Sequence, residues 1–200
     1  MSELAQSSAE ISVSSNVFRA IGDPECNLAI WQRDIAIDLS DFVANQYEEI
    51  RFDTPLDQLR PRLNEELLSS KSLSATIRDQ LIEDVEMLGR KYCSILDLSA
   101  LEVRLEIVST DACRKWHSDY VKARLITTYA GTGTQWLTSD DANRVKRNQD
   151  PARINTMSSG DVGIFKGKLA TDNPVVHRSP PIAGTGERRL LLVLNPPPEN

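Results

Sequence analysis

The chain contains only two histidines, His117 and His177, and each stands where an imidazole could bind a metal. His117 opens the triplet His117-Ser118-Asp119, so on an extended backbone its ring and the Asp119 carboxylate project to one side. The same parity runs on through Val121, Ala123 and Leu125, an apolar series, which predicts that both polar groups face the interior and need a partner there. His177 closes the short apolar run that starts at Pro174, 58 positions beyond Asp119. Arg188 and Arg189 follow 11 and 12 residues later, at the head of a final apolar run. Two imidazoles and one carboxylate are the ligands of a facial triad, which leaves open positions on Fe(II) for a co-substrate and oxygen. A buried guanidinium nearby offers a planar fork for a dicarboxylate, a geometry that lysine matches less well. The final run is apolar on both faces, so pattern alone does not separate Arg188 from Arg189.

The elements that must position these residues fall into two halves. Residues 1–17 are polar and without periodicity, and are expected to form a flexible tail. NLAIWQR, residues 27–33, reads as a short strand. Helical signals follow. Ser40 can cap a segment with Val43, Tyr47 and Ile50 on one face. Thr54-Pro55-Leu56-Asp57 has the order of a capping box before Leu56, Leu59, Leu63 and Leu67, with Pro61 placed to bend that helix. A third helix is expected after Ser72, with Ile77, Leu81, Leu88 and Tyr92 in register. Near residue 97 the period changes to two: in Leu101–Ile107 every odd position is apolar and every even one charged, as in a half-buried strand. Further strands are expected at 120–129, 134–138, 162–165, 174–178 and 189–194, with a polar surface insertion over 139–156. The reading is one integrated α+β domain: a mainly helical part over 18–97 packed on an antiparallel β core over 98–195, and a short tail over 196–200.

Composition excludes several classes. The 200 residues are 40% hydrophobic and 26% charged, enough to bury a core without disulfides or structural metals. A net charge of −6 does not provide the clustered cations of a general nucleic-acid binder. No apolar run approaches the roughly 18 residues of a membrane span. The N-terminal stretch has neither the basic start nor the apolar core of a secretory signal, and three scattered cysteines are no disulfide framework, so cytoplasm is the simplest compartment. There is no P-loop and no GxSxG elbow, and Gly131-Thr132-Gly133 lacks the third glycine of a dinucleotide loop. Nothing in the pattern selects a substrate, small molecule or protein, or an oligomeric state.

The segments WHSDYVKARLITTYAGTGTQWL, GDVGIFKG, VVHRSPP and GERRLLLVLN resemble the double-stranded β-helix core of Fe(II)/2-oxoglutarate-dependent oxygenases. WHSDY together with HRSPP resembles more closely an uncharacterised bacterial family, a domain of unknown function. The resemblance implies a jelly-roll, cupin-like fold, an Fe(II) site at His117, Asp119 and His177, and a 2-oxoglutarate partner at Arg188, with Arg189 as the alternative. Tyr120 and Arg124 are further candidates to hydrogen-bond beside the cofactor, although surface strand residues would look the same. Trp116 and Trp136 read as wall and core of the sheet, and Lys166 and Lys168 as solvated residues that could compete for an anion. The two prolines after His177 are placed to narrow the mouth against a bulky co-substrate. Other readings stand beside this one. Cys113, four before His117, could turn the site into a closed tetrahedral zinc site. The three ligands could also serve a zinc-dependent hydrolase, or a non-catalytic module that handles zinc, iron or another divalent metal.

Overall fold

The computed structural model describes residues 8–45, 49–68, 70 and 72–198. Its strands are β1 (Ser8–Ser12), β2 (Cys26–Trp31), β3 (Ile50–Pro55), β4 (Ala100–Val108), β5 (Ala123–Ala130), β6 (Gln135–Trp136), β7 (Asn155–Thr156), β8 (Val162–Lys166), β9 (His177–Arg178) and β10 (Arg189–Asn195). Its α-helices are α1 (Ser40–Asn45), α2 (Leu59–Leu68), α3 (Ala75–Leu96) and α4 (Ser139–Lys146). Seven strands form a major sheet in the order β1-β2-β8-β5-β10-β4-β3, and three form a minor sheet in the order β7-β6-β9. Every pairing is antiparallel except β1 with β2. None of the described helices is long and apolar enough to cross a membrane.

The strand pleat sorts the major sheet into two faces. Leu101, Val103 and Leu105 of β4, Leu125 of β5 and Leu190, Leu192 and Leu194 of β10 pack with the buried stripes of α2 and α3. Those stripes are Leu59, Leu63 and Leu67 on α2, and Leu81, Val85, Leu88 and Tyr92 on α3, spaced three and four apart as a helix face requires. Ser74 caps α3 by accepting the Ile77 N–H at 3.3 Å. On the opposite face Val108, Ile126, Phe165 and Leu191 pack under Trp136, Met157, Val175 and Ile182, from the minor sheet and its connections. The result is three layers, helices, major sheet and minor sheet, with the candidate ligands at the second interface.

Several expectations change. Of the expected tail, residues 1–7 lie outside the described residues, but Ser8–Ser12 is strand β1, and the 3₁₀ turn over Ser15–Gly22 buries Phe18 and Ile21. Helix α1 stops at Asn45; Tyr47 lies outside the described residues, and Ile50 begins a strand instead. Thr54-Pro55 closes β3, and Pro55 is the N-cap of a 3₁₀ turn over Leu56–Gln58 that leads into α2. Helix α2 starts at Leu59, so Pro61 sits in its first turn, where a missing N–H breaks no hydrogen bond. Residues 18–97 carry α1, α2 and α3, but they also supply β2 and β3 to the major sheet, which β1 joins from within the expected tail. The polar insertion over 139–156 contains α4 and β7.

Candidate metal centre

The parity argument for His117 and Asp119 fails, although the two residues do come together. Residues 118–119 are irregular and 120–122 form a bend, not strand, and when β5 begins at Ala123 the odd positions turn toward the helices. His117 instead makes a single β-bridge to His177, donating to its carbonyl at 3.0 Å and accepting its N–H at 2.9 Å. That bridge extends the edge of the minor sheet and brings the two rings together, tilted by 50° with centroids 4.7 Å apart. Asp119 is carried in by the bend, which is stitched to the end of β8. Its carbonyl accepts the Lys168 N–H at 2.9 Å, and Gly167 donates to Lys122 at 3.0 Å. Gly167 is required here, because a Cβ would lie 2.3 Å from the Val121 oxygen and 2.8 Å from that of Asp119.

His117, Asp119 and His177 each offer a ligand atom, all within 4.8 Å of one another. The His177 Nε2 lies 3.3 Å from Asp119 Oδ2, and the His117 Nε2 lies 3.8 Å from Oδ1. In both rings Nδ1 faces a backbone carbonyl, that of Lys115 at 2.8 Å and that of Val175 at 3.4 Å. A carbonyl only accepts, so Nδ1 carries the proton and each Nε2 lone pair is left for a ligand role. Oδ2 of Asp119 is buried without a hydrogen-bond donor, and its contact with His177 becomes a hydrogen bond only if Nε2 is protonated. Burial pushes the Asp119 carboxyl up, but His177, Arg124 and His117 outweigh it and hold it below its ordinary value. Two imidazoles whose Nε2 atoms face a carboxylate with one bare oxygen fit a divalent cation. His177 is buried and packs on the Phe165 ring at 5.0 Å, whereas His117 is partly exposed.

The two arginines separate by pleat. Arg189, Leu191, Val193 and Asn195 share the inner face of β10, and Leu191 and Val193 line a cavity of about 60 Å³ with both histidines. Arg189 is fully buried, and Nε donates to the Thr132 carbonyl at 2.5 Å and NH1 to the Ser179 hydroxyl at 3.0 Å. Its NH2 has no partner, and among the described residues no carboxylate lies within ion-pair reach of it. Burial pulls the guanidinium down to about 10, against the opposing effect of Glu187 and Glu106. Arg188 lies on the other parity and donates to the Ala44 carbonyl at 2.7 Å, on the helix side of the sheet. The expectation that favoured Arg188 as the inward residue is thus corrected to Arg189.

The remaining candidates divide. Arg124 does reach the site, donating to Asp119 Oδ1 at 2.7 Å. Tyr120 is 76% exposed and lines a different cavity with Leu169 and Pro196. Lys166 is buried rather than solvated and donates to the Asp23 carbonyl at 2.6 Å, on the helix-side parity of β8. Lys168 is exposed. Trp136 is core, and Trp116 packs beneath the Arg178 guanidinium at 4.2 Å. Cys113 is exposed and outside the ligand group, so the arrangement is not a closed Cys-His-Asp-His site.

The sequence pattern of a family described as protein of unknown function (DUF1826) matches residues 12–195. The chain belongs to the DUF1826 family. No curated protein matches this DUF1826 chain in sequence. Among solved structures it is similar to dioxygenase for auxin oxidation 1 from Arabidopsis thaliana, solved as a 2-oxoglutarate binary complex. The TM-score is 0.53 at 10% identity, over 96% of this chain and 93% of that one. It is also similar to a full-length Neurospora crassa protein solved in complex with alpha-KG, with a TM-score of 0.50 at 10% identity, over 100% of this chain and 87% of that one. At such identities the likeness is one of fold. Sequence reading of the DUF1826 chain missed Gly167, Ser179, Thr132 and Asn195, which hold ligands or arginines in place. Only Gly167, following the apolar strand directly, carried a signal of close backbone approach.

Proposed function

We propose that the chain is an Fe(II)- and 2-oxoglutarate-dependent oxygenase built on a double-stranded β-helix of the jelly-roll, cupin-like type. The observation that carries this reading is a pair of incomplete groups in one interior. A bare carboxylate oxygen sits beside two imidazole Nε2 atoms, and a fully buried guanidinium lacks an anion. A cation completes the first and a carboxylate the second. His117, Asp119 and His177 would hold the metal, and Arg189 would pair with the distal carboxylate of 2-oxoglutarate. When bound, iron and 2-oxoglutarate supply oxidising power by coupling dioxygen reduction to decarboxylation of the co-substrate into succinate and CO₂.

The protein's part is orientation and exclusion of water. The Lys115 and Val175 carbonyls fix the ring tautomers, and Thr132 and Ser179 hold Arg189 with its NH2 free. Ile126, Leu191 and Val193 supply the apolar part of a cavity wall that Arg104, Glu106, Arg124 and Arg178 also line. The two solved structures named above, described with 2-oxoglutarate or alpha-KG, support the reading at the level of fold.

One observation favours a second reading, a non-catalytic metal-binding module. The cavity of about 60 Å³ has room for a few waters, so a five-carbon dicarboxylate requires its walls to move. Anaerobic loading with Fe(II), then exposure to oxygen with 2-oxoglutarate, separates the two. Iron-dependent succinate that disappears in His177→Ala supports the oxygenase. Iron uptake with neither 2-oxoglutarate binding nor succinate selects the metal-binding module.

A further inference from the structure

We propose that Arg124 is the positioning residue of the metal centre: it holds Asp119 as a one-oxygen ligand through Oδ2 and cancels the ligand's charge. The inference rests on the metal-centre reading and is independent of whether 2-oxoglutarate is used. The two oxygens of Asp119 have different surroundings. Oδ1 accepts from Arg124 at 2.7 Å, while Oδ2 is buried, has no donor, and lies 3.3 Å from the His177 Nε2. A metal drawing on Oδ1 as well would compete with a charge-assisted hydrogen bond, so the bare oxygen is the donor.

Arg124 is itself held. On β5 it shares the inward parity of Ile126, and its Nε donates to Asn195 Oδ1 at 2.6 Å. Asn195 donates in turn to Glu102 Oε1 at 3.1 Å, its direct partner in the β10–β4 register, and Arg51 donates to the other Glu102 oxygen at 3.2 Å. Asn195 and Glu102 are both buried. The guanidinium is thus tied to three adjacent strands and cannot swing away without breaking a buried chain of hydrogen bonds. It also walls the metal ligands from a separate cavity of about 520 Å³ lined by Arg51, Glu102, Tyr120 and Leu169.

The charge count gives this contact its consequence. His, Asp and His alone would present one negative charge to a cation, but with Arg124 on Oδ1 these four residues sum to zero. A divalent ion then keeps more of its field on the open side, which favours anionic co-ligands and the lower oxidation state. Across a few ångströms in a partly desolvated site, one such charge is worth more than a factor of ten.

The test compares the Fe(III)/Fe(II) midpoint potential of the wild type with that of Arg124→Gln and Arg124→Lys, each first checked for loading by Co(II) absorption. Arg124→Gln should shift the equilibrium toward Fe(III) at least tenfold, a fall of 59 mV or more for one electron. Arg124→Lys, which keeps the charge, should stay within threefold of the wild type. A purely structural role would not distinguish the two variants by charge. Infrared difference spectra of Zn(II) binding to the wild type read the same proposal without a variant. Widened separation of the carboxylate stretches is expected, and narrowed separation, the mark of chelation by both oxygens, overturns it. Equal potentials in wild type and Arg124→Gln overturn this inference and leave the metal centre standing. A wild type that takes up neither Co(II) nor Fe(II) overturns the metal centre itself.

Discussion

Replacing Arg189 by methionine separates the cost of a buried charge from its use. Its guanidinium is fully buried and pulled down to about 10 by burial, which corresponds to a penalty of about 3 kcal/mol on the charged form. Both folded and unfolded chains carry the proton at neutral pH, so this penalty is present in full there and is relieved only as pH rises above about 10 toward the ordinary arginine value. Against it stand two charge-assisted hydrogen bonds, to Thr132 and Ser179, worth about 1.5–3 kcal/mol each. The opposing contributions largely cancel, so Arg189→Met should change folding stability by no more than about 3 kcal/mol. Binding of 2-oxoglutarate should suffer far more, about 2–5 kcal/mol, because the ligand carboxylate would then be buried without its partner. That is a loss of roughly 30-fold to several thousand-fold in affinity. Arg188→Ala removes a bond to the Ala44 carbonyl on the helix side of the sheet, away from the cavity, and should leave 2-oxoglutarate affinity unchanged. Calorimetric titration of 2-oxoglutarate into anaerobic, Fe(II)-loaded protein, with a thermal melt of each variant, reads both quantities. If Arg188→Ala abolished binding while Arg189→Met retained it, the argument from strand parity would be wrong.

Gly167→Ala places a methyl against the backbone oxygens of Val121 and Asp119 and should displace the bend that carries the ligand. A Co(II) titration should show a loss of about 10- to 100-fold, the usual effect of disturbing support behind a ligand, and undiminished affinity would refute the role of that contact. Tyr92 donates to the Ala123 carbonyl at 2.8 Å and Tyr129 to Asp84 at 2.6 Å, and burial above all raises both phenols. The stability this provides is complete below about pH 10, the unfolded value, and declines as pH rises beyond it. In a Tyr47→Phe/Tyr120→Phe background, phenolate absorbance should therefore appear only together with loss of helical circular dichroism; ionisation with the fold intact would contradict the burial of these rings.

The reach of the sequence is clearest in β4 and β10. Alternation in Leu101–Ile107 separates two faces correctly, and Leu101, Val103 and Leu105 do face the helices. The same pattern says nothing about what covers the charged face. There Arg104 pairs with Glu106 and with Glu49 at 2.9 Å, and Glu102 is buried against Asn195, all beneath or beside the second layer. In β10 every residue is buried, so no alternation exists from which to orient Arg188 and Arg189. Strands β1 and β3 are edge strands with a polar, exposed side, and their short apolar content resembles loop or helix cap more than sheet.

Residue identity by itself determined that a metal site with two imidazole ligands, if present, had to use His117 and His177, the only histidines in the sequence, and Asp119 stands two positions from one of them. Local periodicity also determined the long helix α3 and the change to strands near residue 97, because both depend on neighbours within one turn or one pleat. The tertiary structure alone decided how the ligands meet. His117 reaches His177 through one bridge across 60 residues, and Asp119 through a bend stitched to β8, rather than through a continuous strand. It alone decided that Arg189 turns inward and that Arg124 clasps Asp119, since both depend on the register of non-adjacent strands. Pairing register is set by packing between layers distant in sequence, and that information is not contained in the spacing of residues along any single element.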